Sequence, residues 1–326
     1  MSIFLCTDNN YVLPAYIALY SLLSNYKGNT EIDVFLLITD SVDERNLSLI
    51  KSLEKGFPLL SITIIKVCNS FSDVHINTPW ITTATMFRLL IPQIARKHNI
   101  SKCIYLDSDI VVEGDISELY ETDLQNYCIG GVKERAISVD SNTELRDLLA
   151  VSDLQDYINA GVLLFNIEEI EKNDLSSKLE SAGHRTDYSH NDQDVINATF
   201  HDRIKILPVR FNAINFYVYD HLPETISEYG KLNILEANKN PLIIHFDGDC
   251  KPWTARGTIL SGKWRKYVRL QDKDVQREYF KPFIKASQLP LRRRIWVLII
   301  SITLKMRIYR VMVNIYRSLK HVANTR

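Results

Sequence analysis

Two carboxylates, Asp107 and Asp109, stand one residue apart between the apolar run 104–106 and the run 110–112. Acids this close cannot stay ionised in a dry interior unless cations or hydrogen bonds offset their desolvation. The pattern therefore reads as a buried strand whose end presents the pair to a ligand. Hard oxygen donors at this spacing suit Mn²⁺ or Mg²⁺. A metal held by so few protein carboxylates keeps coordination positions for phosphate oxygens. The competing reading is a strand-to-loop turn with solvated acids, because so short a pattern recurs by chance.

Three other segments offer chemistry. In His245-Phe246-Asp247-Gly248-Asp249-Cys250-Lys251-Pro252-Trp253, a strand-like run is followed by an imidazole, a glycine that permits close backbone approach, and a lysine. His245 could complete a metal site through a ring nitrogen, and Lys251 could neutralise a diphosphate. Asn159-Ala160-Gly161 opens another apolar run; its amide can bond sugar hydroxyls, although Asn-Ala-Gly is also common turn composition. Asn191-Asp192-Gln193-Asp194 opens a helix-like stretch in which Asp192 is either an N-cap or a ligand.

The elements that must position these groups follow an alternating strand and helix pattern, which predicts a parallel-rich α/β sheet. Strands are predicted over 2–7, 33–39, 61–67, 102–106, 128–132, 160–165, 204–208 and 242–246. Helices are predicted over 14–25, 41–55 and 82–97, the last interrupted at Pro92, with another start where Asp115 caps and Glu118 reaches back. Segments 183–191 and 211–222 are polar and loop-like, where substrate contacts concentrate.

The chain of 326 residues has a formal charge of zero that conceals a split. Residues 1–278 carry 28 basic against 39 acidic side chains, a net of −11, and residues 279–326 carry +11. An acidic body over 1–278 and a basic tail over 279–326 with a different partner are expected. No nucleic-acid partner is expected. The tail places Arg292-Arg293-Arg294 ahead of the uncharged run 295–304, which is well short of the roughly 20 residues that span a bilayer. Over 306–320, Arg307, Arg310, Asn314 and Arg317 recur on one helical face and Ile308, Met312, Ile315 and Leu319 on the other. Such a helix fits an anionic membrane interface; the alternative is packing on the body or on another subunit. Residues 1–8 enter a strand-like run without a basic flank and long apolar stretch, so a cytoplasmic location at the inner membrane face is expected. The five cysteines, scattered at 6, 68, 103, 128 and 250, read as buried free thiols.

Taken together, residues 6–11, Arg88, 105–109, 159–164, 191–194 and 245–253 resemble, in order, the blocks of family 8 glycosyltransferases of the bacterial lipopolysaccharide type. The resemblance covers roughly residues 3–253. It implies a GT-A fold, a nucleotide-sugar domain with a mixed, mostly parallel central sheet, and Mn²⁺ (alternatively Mg²⁺) on Asp107, Asp109 and His245. It also implies that Asp8, Asn10 and Tyr11 contact uracil and ribose, and that Gly248 and Lys251 hold the diphosphate. Arg88, Asn159, Asp192 and Gln193 would bind the donor sugar, with Ser108 and Ala160 counted in the same nucleotide-sugar site. The implied reaction is retaining transfer of galactose or glucose from the UDP-sugar to a lipid-linked cell-envelope saccharide. In it Gln193 is a dipolar stabiliser beneath the anomeric carbon and Asp192 the rival nucleophile. One departure stands out: Glu134 occupies a position where the family often has aspartate near the sugar.

Two further readings stay open at this level. Asp107-Ser108-Asp109 after an apolar strand also resembles the first motif of aspartyl-phosphate phosphohydrolases, but that reading leaves 8–11 and 245–253 without a role. A non-catalytic nucleotide-sugar-binding protein would keep the fold without turnover.

Overall fold

In the computed structural model, residues 1–67, 70, 71, 74, 82–134, 143–185, 187–214 and 223–306 are described. The apolar runs become strands β1 (Ser2–Thr7), β2 (Ile32–Ile38), β3 (Leu60–Lys66), β4 (Lys102–Leu106), β5 (Ile110–Val112), β6 (Ile129–Lys133), β7 (Ile158–Asn166), β8 (Ile204–Ile206), β9 (Ala213–Ile214) and β10 (Ile243–His245). The helices that matter for the site are α1 (Val12–Asn25), α2 (Ile91–Lys97), α3 (Asp192–Thr199), α4 (Ser261–Arg269) and α5 (Leu291–Lys305).

Seven strands form one sheet in the order β3-β2-β1-β4-β7-β6-β8. Pairs β3–β2, β2–β1, β1–β4 and β6–β8 are parallel, while β7 runs antiparallel to both β4 and β6. The inner strands β1, β2, β4 and β7 are buried on both faces, which explains why they read as continuous apolar runs, while edge strand β3 alternates buried and exposed positions. Ile3 and Leu5 of β1 face a core shared with α1, and Phe4 and Cys6 face a second core shared with α2 and α3. A smaller sheet, β5-β10-β9, has β10 antiparallel to β5 and parallel to β9.

Several boundaries differ from expectation for local reasons. The helix predicted over 41–55 divides at Ser52 into Glu44–Lys51 and Leu53–Gly56. The helix predicted over 82–97 is a 3₁₀ stretch, Thr83–Leu90, followed by α2, so the break precedes Pro92. Pro92 sits in the first turn of α2, where a missing N–H leaves no helical bond unmade. Asp115 does accept from the Ser117 N–H at 3.1 Å, but Glu118 does not reach back; it pairs with Arg210 instead. Cys6, Cys103 and Cys128 are buried free thiols, whereas Cys250 is only half-buried; Cys68 lies outside the described residues. The basic amphipathic segment predicted over 306–320 lies, from residue 307 on, outside the described residues, as do residues 215–222 of the predicted loop. Among the described residues no helix is long and apolar enough to cross a membrane.

Candidate functional site

The acidic pair sits where two sheets meet. Asp107 follows β4, and its N–H donates to Gly161 O at 2.8 Å, extending the β4–β7 pairing past the strand end. Asp109 immediately precedes β5, and the β5–β10 register sets His245 opposite Ile110. That register delivers the imidazole to the carboxylates: His245 Nε2 lies 3.3 Å from Asp109 Oδ1 and 3.7 Å from Asp107 Oδ2. One donor atom from each of the three residues falls within 4.8 Å of the others. Two carboxylates and an imidazole form a donor set that fits a hard divalent cation. Gly161 makes the cluster sterically possible. A Cβ there would lie 2.2 Å from His245 Cε1 and 2.8 Å from Asp107 Oδ2, so any side chain would push a ligand aside.

Two buried cations brace the acids. Lys251 Nζ donates to Asp109 Oδ2 at 2.5 Å and to Phe246 O at 2.8 Å. Arg88 donates through its NH groups to Ala160 O at 2.6 Å and Asp107 Oδ1 at 2.8 Å, and through Nε to Thr85 O at 3.0 Å. Its Nε is also 3.0 Å from Asp192 Oδ2, and its guanidinium stacks 4.5 Å from the Tyr105 ring centre. Burial works against the ionised form of Asp109, but Lys251 and His245 outweigh it and hold the carboxyl well below the usual carboxylate range. Burial opposes charging of His245 as well, and Asp109 reverses the shift to a raised pKa.

Asp192 and Gln193 enter from the first turn of α3. Gln193 Oε1 accepts from the Ala160 N–H at 3.0 Å, which fixes the amide beside residues 159–161. Asp192 is buried, and desolvation raises its carboxyl to about 7 against the pull of Arg88. Asp194, two residues on, is a buried anchor: Tyr157 donates to Oδ1 at 2.5 Å and the His190 N–H to Oδ2 at 2.7 Å.

At the end of β1, Asp8 Oδ1 accepts from the Asn10 and Tyr11 N–H groups at 2.9 and 3.0 Å, just ahead of α1. Tyr11 packs edge-on against Trp253 with ring centres 5.7 Å apart, and burial pushes its hydroxyl up to about 12. These groups border a single cavity of 540 Å³. Its wall includes Asp8, Tyr11, Arg88, Asp107, Ser108, Asp109, Asn159, Ala160, Asp192, Gln193, His245 and Lys251 from the sequence-predicted set. Asn10 and Gly248 are not part of that wall. Asn10 is exposed, and Gly248 turns the following loop with φ +79°. Ser108 is on the wall, but its hydroxyl donates to Cys6 O at 3.1 Å and so ties β4 to β1.

Sequence reasoning passed over Asn212, Tyr157, Asp194 and Gly161 as site residues. Gly161 and Asp194 stand inside blocks already marked by their neighbours, and that adjacency was the available signal. Asn212 carried only its place in the polar segment 211–222, and Tyr157 carried none; each acts through contacts 33 or more residues away.

The model of glycosyl transferase family 8 matches residues 2–257. General stress protein A of Bacillus subtilis is 27% identical over 261 residues, 78% of this chain and 88% of that protein. A lipopolysaccharide 1,2-glucosyltransferase of Escherichia coli is 29% identical over 256 residues, 76% of this chain and 71% of that one. Among solved structures, the apo bifunctional glycosyltransferase WbbM matches with a TM-score of 0.75 at 22% identity, over 89% of this chain and 52% of that chain. This chain thus spans about half of WbbM. The galactosyltransferase LgtC, solved in complex with donor and acceptor sugar analogs, matches with a TM-score of 0.64 at 22% identity, over 90% of this chain and 99% of that chain. The shared fold is the GT-A type, a mixed α/β architecture around a mostly parallel sheet.

Proposed function

The chain belongs to glycosyl transferase family 8, and from that premise we propose that it is a retaining hexosyltransferase using a UDP-sugar, UDP-galactose or UDP-glucose. The observation that carries the reading is the Asp107–Asp109–His245 cluster, with Lys251 and Arg88 beside it, opening into one 540 Å³ cavity with Asp192 and Gln193. Asp107, Asp109 and His245 would hold Mn²⁺ or Mg²⁺, and a cation there supplies electrostatic stabilisation to the diphosphate as it departs. Lys251, already buried against Asp109, adds a second positive charge on the leaving-group side. Asp8 and Tyr11, at the carboxyl edge of β1, receive the uracil and ribose, where open α/β sheets bind ligands. Asn10 and Gly248 adjoin the wall residues Tyr11 and Asp247, Asn10 on the uracil and ribose side and Gly248, with Lys251, on the diphosphate side.

Arg88, Asn159, Asp192 and Gln193 orient the hexose. Gln193 presents an amide rather than a carboxylate near the anomeric carbon, which favours front-face attack by the acceptor hydroxyl with proton transfer to a phosphate oxygen. The acceptor is a lipid-linked cell-envelope saccharide; the lipopolysaccharide glucosyltransferase likeness and the basic tail support this class. Residues 1–278 form the catalytic body, and residues 279–326 hold it peripherally to the cytoplasmic membrane face.

The test is UDP release from a panel of UDP-sugars with Mn²⁺ and no acceptor. Galactose or glucose donors are expected to turn over, and Asp109→Asn to lower the rate by at least about a hundredfold, the loss expected when a principal electrostatic stabiliser is removed. Unchanged metal-dependent turnover in Asp109→Asn overturns the metal assignment.

A further inference from the structure

A directed chain of hydrogen bonds runs behind the metal cluster. His245 Nδ1 lies 3.0 Å from Asn212 Oδ1, Asn212 Nδ2 donates to Asn159 Oδ1 at 2.9 Å, and Asn159 Nδ2 donates to Glu134 Oε2 at 2.9 Å. Its direction is not arbitrary. The Gly161 N–H, an obligatory donor, points at Asn159 Oδ1 from 2.9 Å, so that atom must be the amide oxygen. Asn212 must then turn its NH₂ toward Asn159 and its carbonyl toward His245. A carbonyl oxygen accepts only, so Nδ1 of His245 carries a proton whatever the charge of the ring, and Nε2, which faces Asp107 and Asp109, is the nitrogen that can exchange its proton for a cation. Glu134 closes the far end with an acceptor, consistent with the same polarity.

Resting on the reading of Asp107, Asp109 and His245 as a divalent-cation site, we propose that Asn212 is a positioning residue that sets the tautomer and ring orientation of His245. The fully buried Asn212 sits at the entry to β9, which pairs with β10 and sets His245 beside Ile214. The backbone register thus places the imidazole, and the Asn212 amide chooses which nitrogen it shows. Without Asn212 the ring has no acceptor for Nδ1–H among these contacts and can present the wrong, protonated nitrogen to the acids. Partners of this kind behind a ligating histidine are typically worth about 10–100-fold in metal affinity.

The experiment is Mn²⁺ binding followed by electron paramagnetic resonance of the free ion, with no sugar donor present. Wild type is compared with Asn212→Leu, which removes the acceptor, and Asn212→Asp, which keeps an acceptor for Nδ1–H. Asn212→Leu is expected to bind Mn²⁺ about 10–100-fold more weakly, and Asn212→Asp to recover most of that loss. Equal affinity in folded Asn212→Leu and wild type overturns the proposal. Nitrogen-15 NMR of histidine-labelled wild type, metal-free at a pH where the ring is neutral, supplies an independent readout. A proton on His245 Nδ1 supports the proposal and a proton on Nε2 overturns it, whether or not Asn212→Leu folds. If wild type itself fails to bind Mn²⁺, the metal reading falls while the tautomer measurement still judges the hydrogen-bond chain.

Discussion

Arg88 faces two carboxylates with a single charge, 2.8 Å from Asp107 and 3.0 Å from Asp192. Burial pushes Asp192 up to about 7, with Arg88 opposing and Asp107 adding to the rise. In an unfolded chain an aspartate loses its proton near pH 4. Between about pH 4 and 7 the folded protein holds a proton that the unfolded chain has released, so stability falls as pH rises through that window. Asp192→Asn should flatten this slope in the metal-free protein, an effect on the order of 1–4 kcal/mol between pH 4.5 and 7.5, read from urea midpoints. An unaltered pH profile would mean that Asp192 is ionised throughout, as a ready nucleophile would be. At this scale the sequence was informative where chemistry came in short blocks: Asp107 with Asp109, His245 with Lys251, Asp192 with Gln193. It marked Asn212 only through the polar segment 211–222 and was silent on Tyr157; the partners of both lie far along the chain, and their roles exist only once β7, β9 and α3 are in place.

The same carboxylate can serve an element and a ligand, and Asp8 shows how to separate the two. Its Oδ1 satisfies the Asn10 and Tyr11 N–H groups in the turn that leads into α1, while the residue also borders the cavity. Asp8→Asn keeps an acceptor for those N–H groups; Asp8→Ala does not. Loss of such hydrogen bonds costs about 0.5–1.5 kcal/mol each, so Asp8→Ala should lower the melting temperature by a few degrees and Asp8→Asn by less. Both variants should weaken UDP binding by calorimetry. A normal UDP affinity in Asp8→Asn would leave Asp8 with the turn alone. The strands themselves were legible from their apolar runs, but direction and pairing were not, because a buried run carries no sign of which way it points. The antiparallel insertion of β7 between β4 and β6 is the instructive case: it brings residues 159–161 beside Asp107, where a uniformly parallel order would not. Strand β10 lies inside the strand predicted over 242–246, but β5, only three residues long, fell below what periodicity detects, and the register between the two carries His245 to the site.

At the scale of the whole molecule, the charge split gains a surface. Helix α5 is held to the body: Val297, Ser301 and Leu304 are buried, Arg293 pairs with Asp249, and a Cβ on Gly257 would lie 2.8 Å from Leu298 Cα. Its opposite side leaves Leu291, Ile295, Trp296, Leu298, Ile299 and Ile302 exposed, continuing to Met306, with Arg292-Arg293-Arg294 at the near end. An apolar stripe flanked by arginines on a packed helix suits shallow insertion into an anionic interface. On the proposed membrane contact, the apolar surface begins on α5 at the body, earlier than the 306–320 segment read from its periodicity. Cutting the chain near residue 285 would strip a packed helix from the loop that follows β10 and carries Lys251, so loss of binding and loss of fold would be confounded. Trp296→Glu with Ile302→Glu changes only exposed positions. Full-length wild type should float with vesicles rich in anionic lipid and much less with neutral ones, and the double variant should lose at least about tenfold in partitioning while releasing UDP from a soluble donor at the wild-type rate. Equal flotation of the two proteins would remove α5 from the membrane contact and leave that role to the basic residues beyond it.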